Sequence, residues 1–494
     1  KDHSAAKDHS AAKDHSAAKD HDAAKDHDAA KDHDAANDKP PASASRRRTV
    51  EPASRKPAEP QAAPERFVLA TGTAADHAAL QHMLGSVFPV AMRDAFIVSL
   101  DDPFYEPADR LVVRRGDQLV AHAHLVERVM QFGSAELPIS VLAGLATLPE
   151  YRSRGLARGL TMAAERMMRR SGAVLGLLST RLPKFFRAHG WALCGRYSHS
   201  RANTRELLAQ LSARGVAPGE GSVAIRPWRQ VELPGLMRLY AERTASTFGP
   251  FQRTEAYWRW LISRQEFDQI FVALDGTDHV DWASIESPIA GYLVMREDRI
   301  LELTARPSVA RSNTFLKAPE ASVIDQLLAR ACAEAIERDY HSVQLHAAPD
   351  EPLHQLFLNS AGAITHDEAH QGEVLMVRLL DPPGFVRRIA DEVQRRAVAA
   401  SLPRKVEVGF LINGQKHRLI VSRRKVRLER GNLGRSYLRL NEQEFTRLLM
   451  GHLDLPAAVA QGRVEVSTRL AQETAAALFP RLPYWRAPWD DVAC

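Results

Sequence analysis

Arginine and glycine residues with anion-binding chemistry are concentrated in one short stretch of the chain, Arg152-Ser-Arg-Gly-Leu-Ala-Arg158. The apolar run from Leu137 to Leu148 precedes it and predicts a strand, and residues 159–170 have the pattern of a helix. The first N–H groups of a helix are unpaired, and the helix dipole favours negative charge there. The sequence therefore predicts a strand, a basic loop and a helix that together hold a diphosphate.

An ordinary solvent-exposed basic turn is the alternative explanation of this stretch, because glycine turns before helices are common. A phosphate-binding loop requires a strand before it and a helix after it. Both flanks are present in the sequence, and they favour the binding site.

Composition places the chain among folded globular proteins of several domains. It has 494 residues, of which 45% are hydrophobic and 26% are charged. The formal net charge of +6 is too diffuse to predict nucleic-acid binding. No apolar run has the length or position of a membrane span or a signal peptide. The three scattered cysteines argue against a disulfide scaffold or a zinc cluster, so we expect a cytoplasmic protein without a metal site.

Residues 1–66 are predicted to form a disordered tail and a linker. Residues 1–36 are six copies of a hexapeptide, Lys-Asp-His-Ser-Ala-Ala or Lys-Asp-His-Asp-Ala-Ala, which has no large apolar residue to bury. A Pro, Ala and Arg-rich linker follows. The regularly spaced histidines could bind divalent metal loosely, and a tail expanded by repeat slippage is the alternative.

The remaining chain is predicted to contain three folded domains with mixed sheets, so the fold class is α/β. Residues 67–215 alternate helix and strand, and residues 220–380 repeat that order. After Thr304, however, the second copy has no glycine at the spacing found after Thr147. Residues 383–494 change to antiparallel strands followed by helices.

The spacing Arg152-x-x-Gly155-x-Ala157 resembles the signature of the GNAT acetyltransferases. The Gly190-Trp191 dipeptide after a short helix is similar to the end of that family's core. In its order of elements, the whole chain resembles the Eis-type members, which have two tandem GNAT domains and a sterol carrier protein-like domain. The resemblance implies a CoA site in residues 67–215, a degenerate second domain in 220–380 and the sterol carrier protein-like domain in 383–494.

The same resemblance implies acetyl-CoA as the cofactor and a small-molecule or peptide amine as the acceptor, acetylated directly in a ternary complex. It also implies a homo-oligomer. The backbone amides that would hold the thioester carbonyl are those of Leu145, Ala146 and Thr147. Arg181 would lie beside the pantetheine arm. The pyrophosphate would be bound by Arg152, Ser153, Arg154, Gly155, Leu156, Ala157 and Arg158.

The proton-transfer residues depart from the family pattern. Phe186 occupies the position of the tyrosine that acts as general acid, and a phenyl ring donates no proton. Tyr197 and His189 are nearby substitutes, with sheet packing and surface exposure as their alternative roles. The resemblance implies that the terminal carboxylate, here that of Cys494, is the general base; a frayed terminus is the alternative.

His122 and His124 lie on one face of a predicted strand and could abstract the amine proton instead, although a core or edge position is the alternative. The replacement of the tyrosine leaves a competing hypothesis from another class. The chain could be a CoA-binding sensor or scaffold with little turnover.

Overall fold

The structure, a computed structural model, describes residues 66–88, 91–195, 197–216, 223–274, 289–306, 322–370 and 372–490. The chain divides into two units, residues 1–63 and residues 64–494. The hexapeptide tail and most of the predicted linker belong to the first unit and lie outside the described residues. All of the described helices and strands belong to the second unit.

The elements between residues 66 and 216 alternate strands and helices, as the sequence predicts. They are β1 (Phe67–Thr71), α1 (His77–Val87), α2 (Ala91–Leu100), β2 (Arg110–Arg115), β3 (Gln118–Phe132), β4 (Ala135–Thr147), α3 (Leu156–Arg170), β5 (Leu175–Thr180), α4 (Pro183–Arg187), β6 (Ala192–Leu193), β7 (Tyr197–Asn203) and α5 (Thr204–Ala213).

The elements between residues 223 and 379 follow a similar order. They are β8 (Ala224–Pro227), α6 (Leu233–Thr244), β9 (Phe248–Phe251), α7 (Glu255–Ser263), β10 (Gln269–Leu274), β11 (Ile289–Arg296), β12 (Arg299–Ala305), α8 (Val323–Glu337), β13 (Ser342–His346), α9 (Leu353–Asn359), β14 (Ala363–Asp367), β15 (Ala369–His370) and β16 (Glu373–Leu379).

The last part of the chain begins and ends with helices around a set of strands. Its elements are α10 (Pro382–Arg388), α11 (Ala390–Ala399), β17 (Lys405–Ile412), β18 (Gln415–Ser422), β19 (Val426–Arg430), β20 (Tyr437–Leu440), α12 (Glu442–Leu449), α13 (Leu455–Ala460), β21 (Glu465–Val466) and α14 (Arg469–Leu478).

The described strands form three mixed sheets, which confirms the α/β class. The first has the order β1-β2-β3-β4-β5-β16-β15, with β6 on β16 and β9 on β3. The second has the order β14-β7-β13-β12-β11-β10-β8, and the third β19-β18-β17-β20-β21. Each sheet contains a parallel pair, namely β4 with β5, β12 with β13, and β17 with β20.

Several strands cross between the first and second sheets, and besides β9 and β15 the long strands β7 and β16 do so. β7 follows β6 in sequence, yet it pairs with β13 and β14 of the second sheet. β16 comes from the second half of the chain and pairs with β5 of the first sheet. Each sheet is thus completed by a strand from the other half, so the predicted ranges 67–215 and 220–380 do not coincide with the sheets.

Helices cover both faces of the first sheet near its parallel pair. α3 packs on the face that carries Ala121, Ala123 and Leu142. α1 and α2 pack on the opposite face, which carries Val112 and Ala146. A third cluster joins the rest of this sheet to the core of the third sheet. A molecule bound between β4 and β5 would therefore extend from the face covered by α3 to the face covered by α1 and α2.

Candidate active site

The parallel strands β4 and β5 separate after a short paired region. They pair only from Ile139 to Val141 on β4 and from Leu175 to Leu177 on β5. Beyond that point β4 continues beside β3, whereas β5 continues beside β16. The edge of β4 after Val141 therefore faces a gap instead of a hydrogen-bonded strand, and its backbone groups on that side are free to bind a ligand.

A β-bulge bends β4 at the mouth of this gap. The register between β3 and β4 shifts between His122 and His124, and Gly144 adopts a φ of 56°. The backbone carbonyl of Gly144 lies 2.8 Å from Nδ1 of His122. Bulges of this kind re-aim the strand that carries them. Leu145, Ala146 and Thr147, predicted to hold the thioester carbonyl, directly follow the bulge.

The predicted anion-binding loop joins the end of β4 to the start of α3. A 3-10 turn at Pro149–Tyr151 leads into Ser153, which has a φ of 61°. Gly155 is the N-cap of α3 with a φ of 77°. A Cβ at Gly155 would meet no atom within 4 Å, so this position needs glycine for its backbone conformation and leaves open space beside the helix N-terminus.

The loop combines unpaired helix amides with positive charge. α3 begins at Leu156, three residues earlier than the predicted Gly159. Leu156, Ala157 and Arg158 therefore supply first-turn N–H groups that no intrahelical carbonyl accepts. Arg152, Arg154 and Arg158 are exposed.

The buried Tyr151 anchors the loop against the sheet. Its hydroxyl accepts a hydrogen bond from Arg115 at 3.0 Å and donates one to Gln118 at 3.0 Å. The guanidinium of Arg154 lies 5.3 Å from the centre of the Tyr151 ring. The loop is thus anchored to the sheet through Tyr151, while its arginine side chains remain accessible to solvent.

Two side chains indicate whether the gap fits a cofactor. Thr147 Oγ1 is buried and has no hydrogen-bond partner in the described part of the chain. Such an orphaned group is what a ligand's polar atom would satisfy. Arg181 follows β5 at the end that has separated from β4, and its side chain is 68% exposed beside Glu373, with 3.4 Å between Nε and Oε1. The unpaired hydroxyl and the exposed guanidinium are compatible with a long polar cofactor arm bound between the two strands.

Phe186 lies in the apolar core of the first sheet. Its side chain is 5% exposed, and its ring centre is 6.0 Å from that of Trp191. The two suggested substitutes are placed differently. Tyr197 belongs to the second sheet, where it is paired with Asp367. The half-buried His189 remains near α4, with Nδ1 2.8 Å from the Phe185 carbonyl.

The two histidines of β3 line a small cavity on the face opposite α3. His122 is fully buried, and Nε2 of its ring lies 3.2 Å from Arg110 Nη1. Because arginine can only donate, Nε2 accepts this bond and Nδ1 must donate to Gly144. Burial, and then the charge of Arg110, lower the pKa of His122 to about 3. His122 is neutral with both nitrogens engaged, so it is not available as a base.

His124 shares the cavity but not these bonds. Burial, and then the charge of Arg110, place the pKa of His124 well below its usual value. Its ring lies edge-on to Tyr105 with 5.7 Å between ring centres. The imidazole is therefore neutral, and it is the member of the pair that remains a candidate for proton transfer.

Arg110 is a site residue that the sequence prediction missed. It begins β2 and is paired with His124 across the sheet, and only 2% of it is exposed. The run Arg-Leu-Val-Val-Arg-Arg gave no sign that its first arginine is buried, since a basic residue at a strand end is usually solvated. The register, which the sequence does not specify, places it beside the histidines.

Cys494, the predicted source of the base, lies outside the described residues. The described chain ends at Asp490, which is fully buried and accepts two bonds of 2.9 Å from Arg253. Arg253 also donates to Glu302. The Tyr257 hydroxyl donates to Asp490, and its ring lies 4.7 Å from Arg128 of β3. This contact chain connects the carboxyl-terminal segment to the first sheet.

The second sheet shows a similar separation of its parallel strands. β12 and β13 pair at only two positions, Arg299 and Ile300 with Gln344 and Leu345. A cavity of about 400 Å³ opens beside them and is partly walled by Trp485 of the carboxyl-terminal segment. The segment after β12 that would correspond to the basic loop, residues 307–321, lies outside the described residues.

Membrane-spanning helices and metal clusters are both absent from the described part of the chain. None of the helices in the described ranges combines the length and apolar character needed to cross a bilayer. Within the same ranges, no group of three or more His, Cys, Asp or Glu side chains is arranged to hold a metal ion. The histidines of the hexapeptide repeats lie outside those ranges.

Comparison with known proteins places the loop in a recognised domain. Residues 70–194 match the model of the acetyltransferase (GNAT) domain. A search of curated proteins found no match to the chain. The likeness to solved structures extends over more of the chain.

Three solved structures illustrate the likeness in fold. A GCN5-related N-acetyltransferase from Kribbella flavida is 18% identical with a TM-score of 0.63, covering 85% of this chain and 98% of that one. The corresponding protein from Anabaena variabilis is 15% identical with a TM-score of 0.64, covering 85% and 99%. Eis1 from Mycobacterium abscessus is 16% identical with a TM-score of 0.56, covering 84% and 97%. Residues 70–194 thus match a GNAT acetyltransferase domain, and the chain shares the fold of these structures over most of its length.

Proposed function

We propose that the protein is an acetyl-CoA-dependent N-acetyltransferase that acetylates a primary amine directly in a ternary complex. The observation that carries the proposal is the separation of β4 from β5 directly before the glycine-capped start of α3. The gap offers unpaired strand amides, and the helix start offers unpaired N–H groups beside three exposed arginines. A thioester arm and its diphosphate need both.

Different residues of the gap would bind different parts of acetyl-CoA. Within Leu145 to Thr147, the amides of Leu145 and Thr147 point away from β3 and would donate to the thioester carbonyl, where negative charge develops during acyl transfer, while the Ala146 amide faces β3. Residues 152–158 would hold the pyrophosphate by their amides and arginines. Acetyl-CoA supplies the activated acyl group when bound. Arg181 would accompany the pantetheine arm at the end of β5.

For the proton-transfer steps of the reaction, the described residues provide few suitable side chains. Phe186 cannot protonate the departing thiolate, and Tyr197 belongs to another sheet. We place the acceptor on the face of the first sheet opposite α3, where His124 is neutral and could take the amine proton, although its lowered pKa makes it a weak base. The terminal carboxylate of Cys494 is the competing base. Absence of a general acid typically lowers a rate by about 10²–10⁴ while leaving binding intact. Phe186 therefore also supports a second candidate function, a CoA-binding sensor with little turnover.

The pairing of strands in the sheets also supports the domain assignments. The second separation of parallel strands, at β12 and β13, supports a degenerate GNAT-like domain built mainly from residues 220–380. The antiparallel hairpins followed by helices in residues 383–494 support the sterol carrier protein-like domain. In the described part of either region, no loop is equivalent to the glycine loop of residues 152–158.

The first test is binding and turnover on the full chain. Calorimetry would measure the affinity for acetyl-CoA, and release of free thiol would be followed with amino acids, lysine peptides, polyamines and aminoglycosides. Thiol release that depends on one class of amine supports the enzyme. Tight binding without turnover on any amine would favour the sensor, and absence of binding would reject both.

Gly155 provides the decisive variant, and Gly172 its matched control. The two glycines lie at opposite ends of α3, both have positive φ, and a Cβ at either meets nothing within 4 Å. Gly155→Leu and Gly172→Leu should each lose about 1–2 kcal/mol of stability from backbone strain. Only Gly155→Leu should also obstruct the diphosphate and lower the affinity for acetyl-CoA by about 100-fold or more. Equal affinities in the two variants would refute the assigned loop.

A further inference from the structure

The cavity on the acceptor side of the first sheet contains a buried positive charge. It measures about 30 Å³, and its walls include Gly144 of the β4 bulge. Ala143 and Gly144 belong to the stretch of β4 that has left β5, so the cavity borders the gap proposed for the thioester. Arg110, His122, His124 and Ser99 contribute its polar groups.

The partners that the described residues give Arg110 are all neutral groups. Its Nε donates to the Tyr105 hydroxyl at 3.1 Å, and its Nη2 donates to Ser99 at 2.7 Å. Its Nη1 donates to the neutral His122 ring. Within the described part of the chain, three of the five guanidinium N–H groups are thereby used, which leaves two for another acceptor.

No carboxylate of the described residues lies within 4.0 Å of this guanidinium. Asp109 is its nearest acidic neighbour in sequence, and the Asp109 carboxylate is bonded to the Glu106 backbone. Burial lowers the pKa of Arg110, and Tyr105 and Asp109 only oppose that shift. The faces of Phe96 and Tyr105, at 4.6 and 5.1 Å, offset part of the desolvation.

Two other buried arginines of the protein have acidic partners. Arg128 is paired with Asp102, and Arg253 with Glu302 and Asp490. Burial of a cation without a counter-ion is strongly unfavourable, so natural proteins rarely keep one without a use for it. Arg110 has the burial of a structural arginine, but among the described side chains it has no such counter-ion.

We infer that Arg110 binds an anionic group of the acceptor, so that the acceptor is an amine that also carries a carboxylate, such as an amino acid. The inference rests on the proposed acetyl transfer at the same site. A carboxylate would supply the missing counter-ion and accept the two remaining N–H groups in a charge-assisted, bidentate arrangement. A polycationic amine would instead meet an uncompensated positive charge.

The test compares each acceptor with its own carboxamide, for example glycine with glycinamide and lysine with lysinamide. The ratio of kcat/KM for acid over amide is measured in the wild type, in Arg110→Gln and in Arg110→Lys. Because each variant sees the same two amines, differences in intrinsic amine reactivity cancel between proteins. The ratio should fall by about 10-fold or more in Arg110→Gln and by less in Arg110→Lys, which keeps the charge but not the fork.

Arg114→Gln is the matched control because Arg114 lies on the same strand and already pairs with Asp76. Its ratio should stay within about twofold of the wild type. A folded Arg110→Gln protein with an unchanged ratio would overturn the inference. If Arg110→Gln does not fold, the ratio in Arg110→Lys decides: no decrease from the wild type overturns the inference.

A binding measurement separates this inference from the proposed function. The affinity of the CoA-loaded protein for N-acetylglycine and for N-acetylglycinamide is measured by calorimetry. Tighter binding of the acid that is lost in Arg110→Gln and reduced in Arg110→Lys supports carboxylate recognition even where turnover is undetectable. Acetylation of amines with no preference for the acid in either assay would leave the proposed function standing and reject the role of Arg110.

Discussion

At the scale of single residues, two consecutive hydrogen bonds organise the cavity on the face of the first sheet opposite α3. Arg110 donates to His122, and His122 donates to the Gly144 carbonyl in the bulge of β4. The guanidinium thereby fixes the tautomer of the ring, and the ring fixes the carbonyl at the mouth of the gap. His122 acts as a positioning residue whose neutral form is required by its two partners.

Acid should therefore weaken the fold through His122. The folded pKa of about 3 lies below the unfolded value of about 6.5, so the unfolded chain binds the extra proton between these values. Stability is complete above pH 6.5 and declines as the pH falls, by up to about 1.4 kcal/mol per pH unit. His122→Gln can keep both hydrogen bonds without titrating, so urea unfolding from pH 4 to 8 should show a shallower acid decline. An identical decline in both proteins would contradict this prediction.

The sequence predicts the proposed anion-binding loop but gives no sign of the cavity beside Arg110. Arg152 to Arg158 are predictable because their spacing, the preceding strand and the following helix are all local features. Arg110 is not, because its burial follows from the pairing of β2 with β3 and from the position of α2. Phe186 stands out by its neighbours in sequence, whereas its packing against Trp191 is visible only in the structure.

At the scale of elements, the carboxyl-terminal segment is attached to the second sheet by one buried ionic cluster. Arg253 begins the turn before α7 and holds Asp490 and Glu302 together, with neither side chain of the Arg253–Asp490 pair exposed. Trp489 packs beside them, 5.5 Å from Trp258 between ring centres. The segment is therefore a fixed part of the fold up to Asp490, and it passes close to the rings that contact Arg128.

Breaking that cluster should cost far more than breaking a surface pair. Asp490→Asn removes the charge that compensates Arg253 and should lower the free energy of unfolding by about 3 kcal/mol. Asp454→Asn is the control, because Asp454 is 46% exposed beside Arg481 and asparagine still caps α13. It should cost less than about 1 kcal/mol. Comparable losses from the two substitutions in urea unfolding would show that the cluster does not anchor the segment.

Element boundaries are largely predictable from the sequence, whereas element partners are not. The apolar run of residues 137–148 locates β4 closely, and the helix predicted over residues 159–170 ends where α3 ends, because each has its own pattern of residues. Which sheet β7 and β16 join depends on pairing between residues that are far apart in the chain. Such pairing is decided by tertiary packing, which local patterns do not encode.

At the scale of the whole molecule, the exchange of β7 and β16 makes the first two sheets depend on each other. β16 pairs with β5 along its full length and covers the edge of the strand that borders the proposed cofactor gap. Leu175 and Leu177 of β5 are fully buried in the cluster that β16 completes. The site of the first sheet thus requires a strand encoded nearly 200 residues later.

A fragment of residues 64–216 should therefore fail to form the site, even though it contains the whole predicted loop and the match to the acetyltransferase domain. Without β16 it exposes the edge of β5 and an apolar face, which favours aggregation. Co-expression with residues 217–494 should restore a soluble complex that binds acetyl-CoA, because the missing strand is then supplied in trans. Soluble fragment 64–216 that binds acetyl-CoA within about threefold of the full chain would show instead that the first sheet is self-sufficient and that the exchange is not needed for its stability.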